Sequence, residues 1–239
     1  MSDEQTSEQN KIVPSGSRGL TMRSLRLVRR GLDTLTKLPR IVRFPTDRPM
    51  GRLYLMNPHD ESWDLHDVCS WMADYCPARG EIKVPANVEL GLRVSKKGAT
   101  DLSPIAQLNS NDLQAFNLSE RDVTDAGLAY LQGLSGLKML GLSWASKISD
   151  VGLTYLRNLT VLQSLYLDST NVTDAGFMNL QWLTTLFSLD VSENEIGDVG
   201  LKNLQGLTSL QNLFLSNTRI SDVGLQHLQG LSTLQMLSF

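Results

Sequence analysis

The sequence predicts an α/β fold, a right-handed solenoid of parallel inner strands and short outer helices with a small β-rich cap at its N-terminal end. Three observations carry that expectation. A hexad recurs as "LQAFNL" at Leu113, "LKMLGL" at Leu137, "LQSLYL" at Leu162, "LFSLDV" at Leu186, "LQNLFL" at Leu210 and "LQMLSF" at Leu234, at offsets of 24, 25, 24, 24 and 24. After each of the first five comes a second block: "VTDAGLAYLQGL", "ISDVGLTYLRNL", "VTDAGFMNLQWL", "IGDVGLKNLQGL" and "ISDVGLQHLQGL". The composition is 41% hydrophobic but only 6% aromatic, so a core of this chain must be built mainly from leucine.

Within the hexad, apolar residues at positions 4 and 6 share one face of a short strand, and positions 3 and 5 face the other way. In the second block the apolar residues fall at helical spacing, as in Leu128, Leu131 and Leu134 or Leu225, Leu228 and Leu231. Thr124, Ser149, Thr173 and Ser221 each precede an Asp, supplying N-cap oxygens and a charge suited to the positive end of a helix. Gly133, Gly206 and Gly230, with Asn158 in the same column, stand near the helix end, where a left-handed residue is favoured. One such unit cannot bury its own leucines, so copies must stack.

These residues resemble a leucine-rich repeat, and the "TDAGL" helix is similar to the ribonuclease-inhibitor-like class with bacterial-type 24-residue units. The resemblance covers residues 113–239. It extends back to a degenerate first unit, "ELGLRVSKKGATDLSPIAQL", because Leu92, Val94 and Asp101 lie one period before Phe116, Leu118 and Asp125. Pro104 restricts that unit to a first-turn or 3₁₀ geometry, and it resembles the internalin-like variant. The repeats therefore span 89–239: a degenerate unit, five full units and a terminal half unit.

Upstream, "GRLYLM", "EIKVP" and "VELGLRV" alternate like strands, with "PAN" as a turn, which makes 40–88 the cap. A helix is expected from Asp64 to Tyr75. Around it lie His59, His66, Cys69 and Cys76, a candidate His/Cys metal cluster whose spacing matches no C-x₂-C or H-x₃-H arrangement. The favoured alternative is two thiols packed with Trp71, Leu65 and Val68 in a reducing setting, with no metal or other cofactor.

Charge is unevenly placed. From Arg18 to Arg52 ten Lys and Arg stand against Asp33 and Asp47, whereas from Leu53 onward eleven stand against twenty Asp and Glu. Leu25, Val28, Leu32 and Leu35 make residues 18–39 a basic amphipathic helix. The favoured reading is that its apolar stripe docks on the cap while its arginines meet the acidic solenoid, or that the helix is simply solvated; a membrane surface or a partner is the alternative, and nucleic acid is disfavoured because no aromatics are interleaved. Residues 1–17 read as a disordered tail rather than a signal peptide, and the expected location is cytoplasmic.

No phosphate loop, triad or zinc signature is present, so an enzyme is not expected. The column Asp125, Asp150, Asp174, Asp198 and Asp222 is explained by helix starts, and His227 is an exposed helical residue by its place in the pattern. What is left is the strand face: Asn117, Met139, Tyr166, Asp190, Asn212 and Phe214 as protein-partner contacts, with Tyr166, Asp190 and Phe214 as neighbours. Trp144, beside the extra residue of the 25-residue unit, and Trp182, in the Gly/Asn column, are candidate hot spots or packing residues.

Two function classes follow: a non-enzymatic interaction scaffold, or the substrate-recognition subunit of a larger enzyme, since "TDxGL" units also resemble those of F-box ubiquitin-ligase receptors. A peripheral regulator recruited by the basic helix is a further alternative. "LQMLSF" reads as a strand without its helix, leaving three readings: a longer repeat protein, an uncapped C-terminus that self-associates, or a last strand that tolerates exposure.

Overall fold

In the computed structural model, which describes residues 39–56, 74–85 and 88–239, the repeat period becomes a hydrogen-bonded ladder. Eleven strands run through the described residues. β1 (Arg40–Arg43), β2 (Gly51–Met56), β3 (Asp74–Pro77) and β4 (Glu81–Val84) form the N-terminal part, and β5 (Glu89–Val94) is the joint. The repeats contribute β6 (Ala115–Asn117), β7 (Met139–Gly141), β8 (Ser164–Tyr166), β9 (Ser188–Asp190), β10 (Asn212–Phe214) and β11 (Met236–Ser238). β5 to β11 pair in parallel in chain order, β2 and β3 add antiparallel strands beyond β5, and β1 with β4 forms a separate antiparallel pair.

Register follows the period. Phe116, Leu140, Leu165, Leu189, Leu213 and Leu237 stand opposite one another across successive strands. The first five of them are fully buried, as are Leu118, Leu142 and Leu167 two positions on, so strand alternation sends one row of side chains into the core. Outer helical turns cover that row: Asp125–Leu128, Asp150–Leu153, Asp174–Phe177, Asp198–Lys202 and Asp222–Leu225. Three of them continue as 3₁₀ turns, Ala129–Leu131, Thr154–Leu156 and Gln226–Leu228. The degenerate unit contains the expected 3₁₀ helix, Ser103–Gln107, with Pro104 in its first turn.

The helix-start aspartates do more than face a dipole. Asp125 accepts the Ser149 N–H at 2.8 Å and the Ser149 hydroxyl at 2.6 Å, one unit ahead. Asp150 does the same for Thr173 at 2.8 and 2.7 Å, and Asp198 for Ser221 at 2.8 and 2.7 Å. Where Gly197 replaces the hydroxyl residue, Asp174 keeps only the backbone bond, at 2.7 Å. The capping bonds from Ser149, Thr173 and Ser221 to their own helices are longer, 3.2–3.3 Å, and Thr124 makes none. These aspartates are therefore inter-unit acceptors first.

The same carboxylates explain the glycine two residues after each Asp. A Cβ on Gly152, Gly176, Gly200 or Gly224 would come within 2.2–2.5 Å of an oxygen of the preceding unit's Asp. Each glycine leaves the space its neighbour's carboxylate fills.

Two local expectations fail. The Gly/Asn/Trp column at the helix end is not left-handed: among described glycines only Gly80 has positive φ. Successive three-residue turns lead from helix to strand instead, with Leu134 donating to Leu131 and Leu137 to Leu134, both at 2.9 Å, and such turns keep φ negative. The expected helix to Tyr75 is also corrected at its end, because Asp74 and Tyr75 belong to β3, paired with β2 through a register shift after Leu53. The remainder of that helix, with His59, Leu65, His66, Val68, Cys69 and Trp71, lies outside the described residues, as do the tail 1–17 and the basic segment 18–38. No described helix is long and apolar enough to cross a membrane.

A partly buried polar knot ties cap to repeats. Arg40 donates to the carbonyl oxygens of Val88 at 2.9 Å and Asp112 at 3.4 Å, and to Gln114 Oε1 at 3.4 Å, while Gln114 Oε1 also accepts the Leu90 N–H. Burial pulls the Arg40 pKa down, opposed by the charges of Asp112 and Glu89.

Removing Asp150 with Asp150→Ala should cost about 1.5–3 kcal/mol, because a buried-side N–H and a hydroxyl lose a charged acceptor. Gly176→Ala should cost about 1–3 kcal/mol by crowding that same carboxylate, and the double variant should cost less than the sum; urea unfolding of the four proteins checks it. Asp198 is held below its usual value by the Ser221 bonds, so its stabilising effect is full above pH 3.8 and fades as pH falls through the lowered value. The urea midpoint difference between the protein and Asp198→Asn should accordingly be constant from neutral pH to about pH 5 and shrink below about pH 4.

Candidate binding face

The strand row that turns away from the core is the face on which a partner site was expected. Its two columns are Ala115, Met139, Ser164, Ser188, Asn212 and Met236, and Asn117, Gly141, Tyr166, Asp190, Phe214 and Ser238. Tyr166 stands opposite Asp190, and Asp190 opposite Phe214, so the expected trio does occupy three adjacent strands.

Exposure is graded along this face. Asn117, Met139, Tyr166 and Asp190 are all buried, while Asn212 and Phe214 are half-buried and Met236 is 52% exposed. Met139 and Tyr166 pack with Ala115 and with Met56 at the end of β2, and Tyr54 leans on the same cluster. This second apolar cluster on the far side of the sheet has no counterpart in the repeat pattern. It arises because β2 alternates as well: Leu53 and Leu55 join the main core, leaving Tyr54 and Met56 on the opposite side.

Two of the polar residues have local duties. Asn117 Oδ1 accepts the Ser119 N–H at 2.8 Å, and Asp190 Oδ1 accepts the Ser192 N–H at 3.0 Å, each closing an Asx turn where the chain leaves the strand. Just beyond lies a column that the sequence did not reveal. Glu120, Trp144, Ser169, Glu193 and Asn217 all have φ between 54° and 61°. Their geometry is set by the next unit: Glu120, Trp144, Ser169 and Glu193 donate their N–H groups to Ser143, Asp168, Ser192 and Ser216 at 2.7–3.0 Å. Asparagine at 217 is the one residue in the column whose type signals a left-handed conformation.

Trp144 is thus the residue that gives up backbone ease, and Trp182 is not. Trp144 has φ 61° and is 65% exposed; Trp182 is 57% exposed with no positive φ. The extra residue of this unit falls between Trp144 and Ile148, where Ala145 turns into the core, and the pairing of Leu140 with Leu165 is undisturbed. Phe187 stands half-exposed in a column otherwise held by Gln114, Lys138, Gln163, Gln211 and Gln235, beside Asn212, whose N–H its carbonyl oxygen accepts at 2.8 Å.

The other candidates are simpler. His227 is half-buried rather than exposed, and its Nδ1 lies 3.1 Å from Gln205 Nε2. Cys76 lies half-buried in β3; His59, His66 and Cys69 lie outside the described residues, and no group of three or more potential metal ligands occurs among the described ones.

A family profile described as "Leucine rich repeat" matches residues 184–238, and the fold is of the leucine-rich-repeat type. Among solved structures, the chain is similar to an internalin C2 from Listeria monocytogenes, with 28% identity and a TM-score of 0.47, covering 58% of this chain and 65% of that one. It is also similar to an internalin F from the same organism, with 29% identity and a TM-score of 0.47, covering 58% of this chain and 44% of that one. The chain therefore spans less than two thirds of each. No curated protein matches it.

Trp144→Gly should raise stability by up to about 1 kcal/mol, because an exposed side chain is removed and the left-handed backbone no longer meets a Cβ. Trp182→Gly should bring no such gain, since its backbone is unstrained. Paired urea titrations separate the two.

Proposed function

We propose that this chain is a non-enzymatic protein-binding scaffold whose strand face makes the contact. The observation that carries the reading is the register of Tyr166, Asp190 and Phe214 on β8, β9 and β10, two aromatic side chains flanking a carboxylate on a ladder that holds them at strand spacing. Large aromatic side chains on a rigid support lose little conformational entropy on binding and are the usual energetic centres of interfaces. Asn212 and Phe214 form the accessible part, Asn117 and Met139 extend the face towards the cap, and Trp144 is a separate anchor at its rim. The "TDAGL" units support placing the chain in the ribonuclease-inhibitor-like class.

The partner should be identified by crosslinking mass spectrometry on the full chain and its affinity then measured with the purified protein. Phe214→Ala should weaken that affinity by about thirtyfold, the effect of a 2 kcal/mol hot spot. Val223→Ala, on an exposed position of the outer helices, should change it less than about threefold. Phe214 is the better probe than Tyr166, whose burial would mix binding with stability. An affinity unchanged by Phe214→Ala but lost with Val223→Ala would move the contact to the helical side.

A further inference from the structure

The cap end of the strand face gathers positive charge. Leu92 and Val94 of β5 and Leu53 and Leu55 of β2 enter the main core, so strand alternation turns Arg93 and Arg52 to the opposite side. The two arginines are direct partners across the antiparallel pairing of β2 with β5, which sets their Cβ atoms about 5 Å apart. Arg121, where the chain leaves β6, comes close enough for the Arg93 charge to add to burial in pulling the Arg121 pKa down, with Glu120 opposing both. Like charges directly opposite one another weaken a sheet. The arrangement calls for an anion.

The chemistry of that anion follows from which donors are left. Arg121 is already held by backbone, its Nε donating to the Val94 carbonyl oxygen at 2.8 Å and its Nη1 to that of Glu120 at 3.1 Å, which fixes the guanidinium in place. Among the described residues Arg93 has no hydrogen-bond or ion-pair partner. The backbone amides of the adjoining turn are spent: the Ser119 N–H goes to Asn117 Oδ1, that of Glu120 to the Ser143 carbonyl oxygen and that of Arg121 to the Leu118 carbonyl oxygen. A phosphate site is ordinarily built on free amides at a helix start or a nest, and these three offer none. Guanidinium groups spread over neighbouring strands suit planar carboxylates taken one by one. An extended peptide presents alternate side chains about 7 Å apart, a pitch that long arginine side chains on adjacent strands can meet.

We propose that Arg52, Arg93 and Arg121 form a receptor site for an acidic segment of the partner protein, whose glutamate or aspartate side chains accept paired N–H bonds from the guanidinium groups. The inference rests on the strand face being the partner surface, and names the partner's chemistry there. Arg93 and Asp190 occupy one column of that face, four strand spacings or about 19 Å apart. The face therefore has an electrical direction. A partner carrying acidic residues can lie along it in one orientation, because the reverse sets carboxylate against Asp190.

Titration of the full chain with the peptide acetyl-Glu-Gly-Glu-Gly-Glu-amide, followed through the arginine Nε–H signals by NMR, tests the site. The expected result is saturable binding that shifts the Arg93 signal, weakens as salt is raised and is absent for acetyl-Lys-Gly-Lys-Gly-Lys-amide. Arg93→Gln should weaken it at least about fivefold, while Lys202→Gln, on an outer helix, should change it less than about twofold. Should Arg93→Gln alter the urea midpoint, Arg93→Lys takes its place: it keeps the charge, loses the paired donors and should weaken binding about threefold. No saturable binding, equal losses in Arg93→Gln and Lys202→Gln, or tighter binding of inorganic phosphate than of the acidic peptide would overturn the proposal. Because no partner is present, such a failure is distinct from an unchanged partner affinity in Phe214→Ala, which would instead remove the strand face as the contact.

Discussion

A carboxylate that reaches one unit ahead is the contact on which the stack depends. Leucine burial gives each unit a reason to associate, but burial is non-directional and tolerates sliding. The bonds from Asp125 to Ser149, Asp150 to Thr173 and Asp198 to Ser221 are directional, and they set the distance at which one helical turn sits on the next. The glycine beside each carboxylate is its complement, because any side chain there would lift the turns apart. Helix spacing on one side and strand pairing on the other then fix the angle between units.

The strand side is tied mainly by backbone, with side-chain additions such as Asn194 Nδ2 donating to the Leu167 carbonyl oxygen. Glu120, Trp144, Ser169 and Glu193 donate to a carbonyl of the next unit, which extends pairing beyond the short strands, and they share a left-handed conformation with Asn217. The two sides of the solenoid therefore differ in what they let vary. On the helical side the residue types are prescribed by contacts, whereas on the strand side geometry is prescribed and side chains are open to choice. Trp144 and the Tyr166, Asp190 and Phe214 trio lie on that side, which is why the proposed binding role is put there.

Much of this architecture was legible in the sequence, because period, strand and helix all announce themselves as leucine spacing. Pro104 and its 3₁₀ helix, the order of the units, and the neighbouring of Tyr166, Asp190 and Phe214 all follow from counting residues. What was not legible depends on contacts between units or on chain far away. The aspartates carry the same letters whether they cap their own helix or serve the next one, and only the paired glycine hints at the latter. Glu120, Trp144, Ser169 and Glu193 give no sign of a left-handed backbone, since the demand comes from a carbonyl about 24 residues on. Glycines at helix ends signal that conformation by habit, and here consecutive tight turns make it unnecessary. The burial of Met139 and Tyr166 required knowing which side of the sheet β2 turns Tyr54 and Met56 towards.

The forward reach of the aspartates also gives the molecule a direction in time. Each acceptor belongs to the earlier unit and each donor to the later, so a chain made from its N-terminus always has the waiting carboxylate in place before the amide that will use it exists. Growth of the solenoid then resembles templated addition: every finished helical turn presents a defined docking point to the unit that follows.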